Sequence, residues 1–155
     1  MSDRLGRRAF IGTAAAAGAG LLAGCGGSSE DSPESTGSEQ QSVDSYLEDT
    51  ANYDGTVVDE TGADAVSVDV GAEGNGGNLA FAPAAIKVDA GTTVTWVWTG
   101  KGSNHNVVDE GGAFDSKQVA SEGYEFTHTF EESGRFLYYC LPHKAVGMKG
   151  AVVVE

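Results

Sequence analysis

One cysteine, one histidine and one methionine lie within nine residues near the end of the chain, in the stretch YYCLPHKAVGM. Two residues separate Cys140 from His143, and four separate His143 from Met148. Pro142 and Gly147 favour a tight loop, so one short loop can present a thiolate, an imidazole and a thioether to a single point. Donors of these types are typical of a site for a soft or borderline metal ion.

The cysteine count supports a metal site. Cys140 is one of two cysteines, and the other, Cys25, is assigned below to lipid attachment. An unpaired cysteine in an exported domain requires an explanation, and metal ligation provides one. A small buried side chain is the alternative role for a free cysteine, but it leaves His143 and Met148 unexplained.

A fourth ligand has to come from one of the two other histidines. His105 lies in GSNHNVV, beside a glycine-rich turn and at the start of a predicted strand, where a ligand can face the end of a sandwich. His128 lies in mid-strand in EFTHTF, on the same face as Phe126 and Phe130. We therefore assign ligation to His105 and a structural role to His128.

Two imidazoles, a thiolate and a weakly bound thioether are the donor set of a blue-copper site. Thiolate and thioether suit Cu(I) and imidazole suits Cu(II), so such a site tolerates both oxidation states, as an electron carrier requires. Zinc is the main chemical alternative, because Cys and His bind it well, although methionine is a poor ligand for zinc.

The elements that position these residues have the pattern of an all-β domain. In the second half of the chain, Val, Thr, Trp, Tyr and Phe alternate with polar residues between turn-forming segments such as GAEGNGGN, DAGT and EESG. This pattern predicts a Greek-key β-sandwich or barrel. Val94, Trp96 and Trp98 share one strand face, which we assign to the core rather than to a binding platform. The predicted strands cover residues 65–70, 85–88, 92–99, 104–108, 124–130, 135–140 and 151–154.

The composition is strongly acidic, with 23 acidic and 9 basic residues and a formal net charge of −14. Removal of the predicted signal peptide leaves 22 acidic and 6 basic residues, a charge of −16. Phosphate binding requires clustered Lys and Arg, so this composition disfavours nucleic acid as a partner. An acidic surface suits either a cationic partner protein or solvation in high salt. Because the Debye length in 1 M salt is only about 3 Å, we favour a halophilic adaptation.

The N-terminus has the features of an export signal. Arg7 and Arg8 precede an apolar, alanine-rich run, as in a twin-arginine signal, and the run ends in LAGC, which resembles a lipobox cleaved before Cys25. A short transmembrane helix is the alternative, but the run over residues 13–23 is shorter than the roughly 20 residues that a span needs. We predict a signal peptide over residues 1–24 and a lipid on Cys25.

Residues 25–42 are rich in Gly, Ser and acidic side chains, which predicts a disordered tether. A flexible chain of this length has a root-mean-square reach of about 20 to 25 Å, so the domain would sample a shallow layer above a membrane. Residues 43–62 begin with Val43, Tyr46 and Leu47 at helical spacing. That spacing predicts a short amphipathic turn, and we expect these residues to form an extension that packs on the domain.

The second half of the chain resembles the cupredoxins of the plastocyanin type. The resemblance rests on the spacing in CLPHKAVGM, on the upstream pair His105-Asn106 and on the run GRFLYYC. The acidic composition, the lipobox and the segments HNVV, GGAFDS and PHKAVGMKGAVVVE are most similar to the haloarchaeal halocyanin branch. The resemblance covers about residues 63–155, which we expect to form a plastocyanin-like blue-copper domain.

The resemblance implies a copper site. One copper ion would be held by His105, Cys140, His143 and Met148, and the Asn106 side chain would tie together the two segments that carry these ligands.

The resemblance also implies a route for electrons. His143 would reach the surface through an apolar patch, which maps here to Leu141, Pro142, Ala145 and Val146. Tyr139 matches a second route in the family, with packing as its alternative role. Lys144 and Lys149 interrupt the apolar rim, so the docking surface is less purely hydrophobic than in the simplest members of the family.

The resulting hypothesis is a membrane-tethered, monomeric carrier that passes single electrons between membrane-bound donor and acceptor proteins, without substrate turnover, on the outer face of the cytoplasmic membrane. A multicopper oxidase or a copper nitrite reductase needs more histidines than the three in this chain, and a dinuclear copper centre needs two cysteines in the loop. Copper storage or delivery, and a structural zinc site, stay open as alternatives.

Overall fold

The computed structural model of the protein describes residues 42–155. The predicted signal peptide, the lipid attachment at Cys25 and the tether as far as residue 41 lie outside the described residues. Within the described part of the chain, no helix has the length and apolar character needed to cross a membrane.

The described chain begins with a helical turn over residues 42–46 and continues as nine strands and one short 3₁₀ helix. The strands are β1 (Val58–Asp59), β2 (Ala65–Gly74), β3 (Gly77–Ala82), β4 (Ala85–Val88), β5 (Thr92–Trp98), β6 (Val108–Asp109), β7 (Glu125–Phe130), β8 (Gly134–Tyr139) and β9 (Lys149–Val154). The 3₁₀ helix spans Leu141–Val146, between β8 and β9.

The strands form two sheets, which confirms the predicted two-layer β fold. The five-stranded sheet has the order β1-β4-β9-β8-β6, and the four-stranded sheet has the order β3-β2-β5-β7. The pairs β1 with β4, β4 with β9 and β2 with β5 are parallel, and the other neighbouring pairs are antiparallel. Parallel neighbours cannot be joined by a tight hairpin, so other strands lie between them in sequence.

The main core lies between the two sheets, where alternation along each strand turns apolar side chains inward. In β5, Val94, Trp96 and Trp98 are almost fully buried, whereas the residues between them are half-exposed. The Trp96 ring lies 5.3 Å from that of Phe114 and 5.4 Å from that of Tyr138, measured between ring centroids. The assignment of the two tryptophans to the core is therefore confirmed.

The prediction that GAEGNGGN is a loop is wrong. β2 continues to Gly74 and β3 begins at Gly77, so only Asn75 and Gly76 form the turn. Both turn residues have positive φ, 57° and 88°, as a two-residue hairpin turn requires, and Asn-Gly is the pair that adopts this conformation most readily. The end of β2 and the start of β3 were not predicted from the sequence, because this segment is rich in glycine and glycine has low β-propensity.

The predicted strand over residues 104–108 is also largely wrong. Only Val108 belongs to a strand, and His105 pairs with Val119 in an isolated bridge. The segment is irregular because its neighbour over residues 115–119 is itself not a strand, so no continuous ladder of hydrogen bonds is available. His105 therefore sits on an irregular segment rather than in a regular strand.

Candidate metal centre

Three separate parts of the fold bring the predicted ligands together. Cys140 follows the last residue of β8, His143 lies within the 3₁₀ helix and His105 lies on the irregular segment before β6. The ligand atoms of these three side chains all lie within 4.8 Å of one another, and the described residues hold no other group of this kind.

The distances within this group fit a metal ion. Cys140 Sγ lies 3.7 Å from Nδ1 of His105 and 3.5 Å from Nδ1 of His143. Metal bonds of about 2.0 Å to nitrogen and about 2.3 Å to sulfur, at tetrahedral to trigonal angles, would separate these donors by roughly 3.5 to 3.8 Å. The side chains present therefore match a compact N₂S site.

The His105 ring is held in the tautomer that a metal ligand needs. Nε2 lies 2.7 Å from the carbonyl oxygen of Lys101, which can only accept, so Nε2 carries the proton and Nδ1 keeps its lone pair. Burial lowers the pKa of His105, which favours this neutral form. A Cβ on Gly102 would overlap the carbonyl of Asn78 and lie 2.8 Å from Nε2, so only glycine leaves room for the ring.

The indole of Trp98 supports the His105 backbone. Its Nε1–H lies 2.9 Å from the carbonyl oxygen of Val119 and 3.2 Å from that of His105, and both can accept its hydrogen bond. The core position predicted for Trp98 thus also steadies the segment that carries a ligand.

The Cys140 thiol is fully buried. Burial raises its pKa, because the charged thiolate loses solvation, while hydrogen bonds from the backbone of Asn106 and His143 act in the opposite direction. A buried thiolate needs a positive partner, and a metal ion supplies one. Among the described residues Cys140 is the free cysteine.

Asn106 joins the two segments that carry the predicted ligands. Its side-chain oxygen accepts a hydrogen bond of 2.7 Å from the backbone nitrogen of Leu141. Asn106 follows His105, and Leu141 follows Cys140, so this bond fixes the spacing between the two backbones beside both ligands.

Met148 lies beside the other predicted ligands and is fully buried. Its carbonyl accepts a hydrogen bond of 3.0 Å from the Cys140 nitrogen, and its own nitrogen donates one of 3.2 Å to the carbonyl of His143. The loop is closed by Gly147, whose φ of 101° ends the 3₁₀ helix. These bonds join the Met148 backbone to the backbones of Cys140 and His143.

The surface around His143 is apolar. His143 is half-buried, whereas Leu141 is 57% exposed and Val146 is 49% exposed. Pro142 and Ala145 are exposed beside them. The residues predicted for the patch are therefore all on the surface, next to the least buried histidine of the group.

The two lysines near this surface are engaged with other side chains. Lys144 Nζ lies 2.6 Å from Oε1 of Glu110 and 4.0 Å from the centre of the Tyr139 ring. Lys149 Nζ lies 5.2 Å from the centre of the Tyr46 ring. Sequence reasoning missed Glu110 and Tyr46, because nothing in their local sequence indicates that they approach the loop.

His128 is not part of the donor group. It is half-buried, and its ring centroid lies 5.0 Å from that of Phe114 and 4.8 Å from that of Phe130. Its surroundings are those of a packing residue.

Comparison with known proteins gives the following similarities. The model of the copper binding proteins of the plastocyanin/azurin family matches residues 66–155. Halocyanin from Natronomonas pharaonis is 46% identical over an alignment of 171 positions, covering 100% of both chains. Plastocyanin from Scenedesmus fuscus is 33% identical over 105 residues, covering 58% of this chain and 99% of its own. Among solved structures, a mutant plastocyanin of fern has a TM-score of 0.49 and 27% identity, covering 57% of this chain and 99% of its own.

Proposed function

The chain belongs to the plastocyanin/azurin family of copper-binding proteins, and we propose that it carries single electrons between membrane redox proteins while tethered to the membrane by a lipid. Its cofactor is a single copper ion. The observation that carries the proposal is the compact group of His105, Cys140 and His143, with the Met148 backbone bonded to two of them.

The chemistry of the centre follows from its donors. His105, Cys140 and His143 would hold copper, with Met148 as a weak fourth ligand; when bound, copper supplies a centre that accepts and releases one electron. The protein contributes three buried donor residues and the half-buried His143, and hydrogen bonds join the backbone segments that carry them. Because these donors are held in place, the side chains would rearrange little when the copper ion gains or loses an electron.

The exposed patch provides the route between this centre and a partner. Cys140, His105 and Met148 are buried, so water is kept from them, and His143 is the member of the group nearest to solvent. We propose that a redox partner docks on the surface formed by Leu141, Pro142, Ala145 and Val146 and exchanges electrons through His143.

The membrane tether is a further part of the proposal. It is supported by the twin-arginine and lipobox-like motifs before Cys25 and by the similarity to halocyanin along the whole chain. Mass spectrometry of the mature protein tests it, because lipid attachment predicts an N-terminal Cys25 that carries added acyl mass. An unmodified N-terminus, or the same membrane fraction for Cys25→Ser, would contradict the tether.

The proposed electron transfer is tested by a visible absorption spectrum of the copper-loaded protein before ascorbate, after ascorbate and after reoxidation. An intense blue band that bleaches and returns, with copper retained, supports the carrier. Loss of copper on reduction, or its transfer to a copper-free acceptor, indicates delivery instead. Bound metal without any blue band contradicts the proposal.

A further inference from the structure

The N-terminal extension is firmly attached to the outer face of the five-stranded sheet. Val43 and Leu47 are 0% and 1% exposed and pack in a second apolar cluster with Ala84, Ala85, Ala151 and Val153. The sheet residues of this cluster alternate along β4 and β9 with those of the main core, so they face the opposite side. Burial of these apolar side chains against the sheet stabilises the contact and gives the extension a fixed position.

The extension contacts the ligand loop directly at Thr50. This side chain is 3% exposed, and its hydroxyl donates a hydrogen bond of 2.8 Å to the carbonyl oxygen of Gly147. The same carbonyl lies 3.2 Å from Nδ2 of Asn75. Oδ1 of Asn75 in turn accepts a hydrogen bond of 2.8 Å from the nitrogen of Ala51. Two donors thus hold one carbonyl, and the extension orients both of them.

The backbone of the extension also fills the space beside Gly147. A Cβ at this position would overlap the carbonyl of Asp49 and lie 2.9 Å from Oδ1 of Asn75. Gly147 immediately precedes Met148, whose own backbone is bonded to Cys140 and His143. Any shift of the Gly147 carbonyl therefore moves the peptide that joins it to Met148.

The extension makes a second contact, through Tyr46, near the other end of the metal-binding loop. The hydroxyl of Tyr46 donates to Oε1 of Glu110 at 2.9 Å and lies 3.2 Å from the carbonyl oxygen of Tyr138. Glu110 also binds the Lys144 ammonium within the loop. The extension therefore reaches the chain on both sides of Cys140.

We propose that residues 43–53 are a brace for the metal-binding loop and that Thr50 is a positioning residue for the copper centre. Thr50 acts through the Gly147 carbonyl and holds the Met148 end of the loop in place. It does so before copper binds and also when the bound copper ion changes its charge. The identity of the ion rests on the proposed function, but the bracing of the loop belongs to the protein alone. This role gives a reason for residues 43–53, which precede the residues 66–155 matched by the family model.

The test uses the full chain with three substitutions. Thr50→Val removes the hydroxyl at nearly constant volume, Thr50→Ser keeps a hydroxyl, and Thr127→Val makes the same change at an exposed position on β7. In the copper-free protein, amide hydrogen exchange is measured for Cys140, Gly147 and Met148 and compared with amides of β5. We expect Thr50→Val to accelerate exchange in the loop by about tenfold while β5 is unchanged, because one buried hydrogen bond is lost.

The copper-loaded variants supply a second measurement. We expect Thr50→Val to shift the reduction potential and the relative intensities of the visible bands, and we expect Thr50→Ser to restore both. Asn75→Asp keeps the acceptor for Ala51 but removes the donor that Asn75 Nδ2 offers to the carbonyls of Gly147 and Leu79. It should also accelerate exchange in the loop, and it replaces Thr50→Val if that variant does not fold.

Two results would overturn the brace. One is equal acceleration of exchange in the loop and in β5, which would mean that Thr50 supports only global stability. The other is behaviour of Thr50→Val indistinguishable from that of Thr127→Val. Failure of the proposed function is a separate result, because it would be seen as a missing blue band in the unsubstituted protein, whereas the exchange measurement needs no metal.

Discussion

The side-chain oxygen of Asn106 accepts a hydrogen bond of 2.7 Å from the backbone nitrogen of Leu141. This bond joins the segment of His105 to the loop that holds the other three predicted ligands. The two segments are distant in sequence, and this bond adds to the pairing of β6 with β8 in fixing the distance between them. Bonds of this kind determine how well a site is formed before a metal arrives.

Asn106→Ala should weaken copper binding by about 10-fold to 100-fold, because the side-chain link between the segments beside His105 and Cys140 would be lost. It should also reduce the free energy of unfolding of the copper-free protein by about 1 to 3 kcal/mol, because the Leu141 amide loses its partner. Chelator competition and denaturant unfolding measure the two effects. Asn104→Ala, at an exposed position two residues away, is the control; equal behaviour of the two variants would disprove the linking role.

Cys140→Ser should abolish the blue band, because that band arises from charge transfer from the thiolate to copper. The variant can still bind copper through the remaining side chains, so copper content is measured together with the visible spectrum. Cys25→Ser is the matched control and should keep the band. A Cys140→Ser protein that stays blue would refute the assigned ligand.

Met148→Gln should retain copper but lower the reduction potential. An amide oxygen is a harder donor than a thioether and stabilises Cu(II) relative to Cu(I). Redox titration followed at the blue band measures the change. Val146→Gln introduces the same side chain at a position that is 49% exposed and should leave the potential nearly unchanged. An unaltered potential in Met148→Gln would count against a thioether ligand at this position.

His128→Ala should leave the visible spectrum intact while reducing the free energy of unfolding by about 1 kcal/mol, because its ring contacts with Phe114 and Phe130 are lost. His143→Ala is the comparison and should lose the band. The two variants are measured by absorption after copper loading and by denaturant unfolding without copper. Loss of the band in His128→Ala would contradict the packing role of His128 and the assignment of ligation to His105.

Much of the candidate site was predictable because its information is local. Cys140, His143 and Met148 lie on one short loop, so their spacing alone indicates that they can meet. The alternation of Val94, Trp96 and Trp98 likewise predicts the buried face of β5, since side chains of a strand point to opposite faces in turn. Two local features distinguished the histidines: His105 lies beside a glycine-rich turn, whereas His128 shares a strand face with Phe126 and Phe130.

Other features depended on contacts between residues far apart in the chain. The strands hidden in GAEGNGGN form because β2 and β3 pair with each other across an Asn-Gly turn, despite the low β-propensity of their glycines. The segment of His105 is irregular because its neighbour is not a strand. Neither outcome is encoded in the periodicity of the segment concerned.

The sequence by itself determined which side chains can bind copper, the all-β class and the core face of the central strand, because residue chemistry and strand periodicity are properties of short segments. Only the tertiary structure decided that Nε2 of His105 is bonded to Lys101, that Asn106 meets Leu141 and that Thr50 meets Gly147. The reason is physical. Each of these bonds needs a donor and an acceptor brought to within about 3 Å by the packing of whole sheets, a distance that no local pattern specifies.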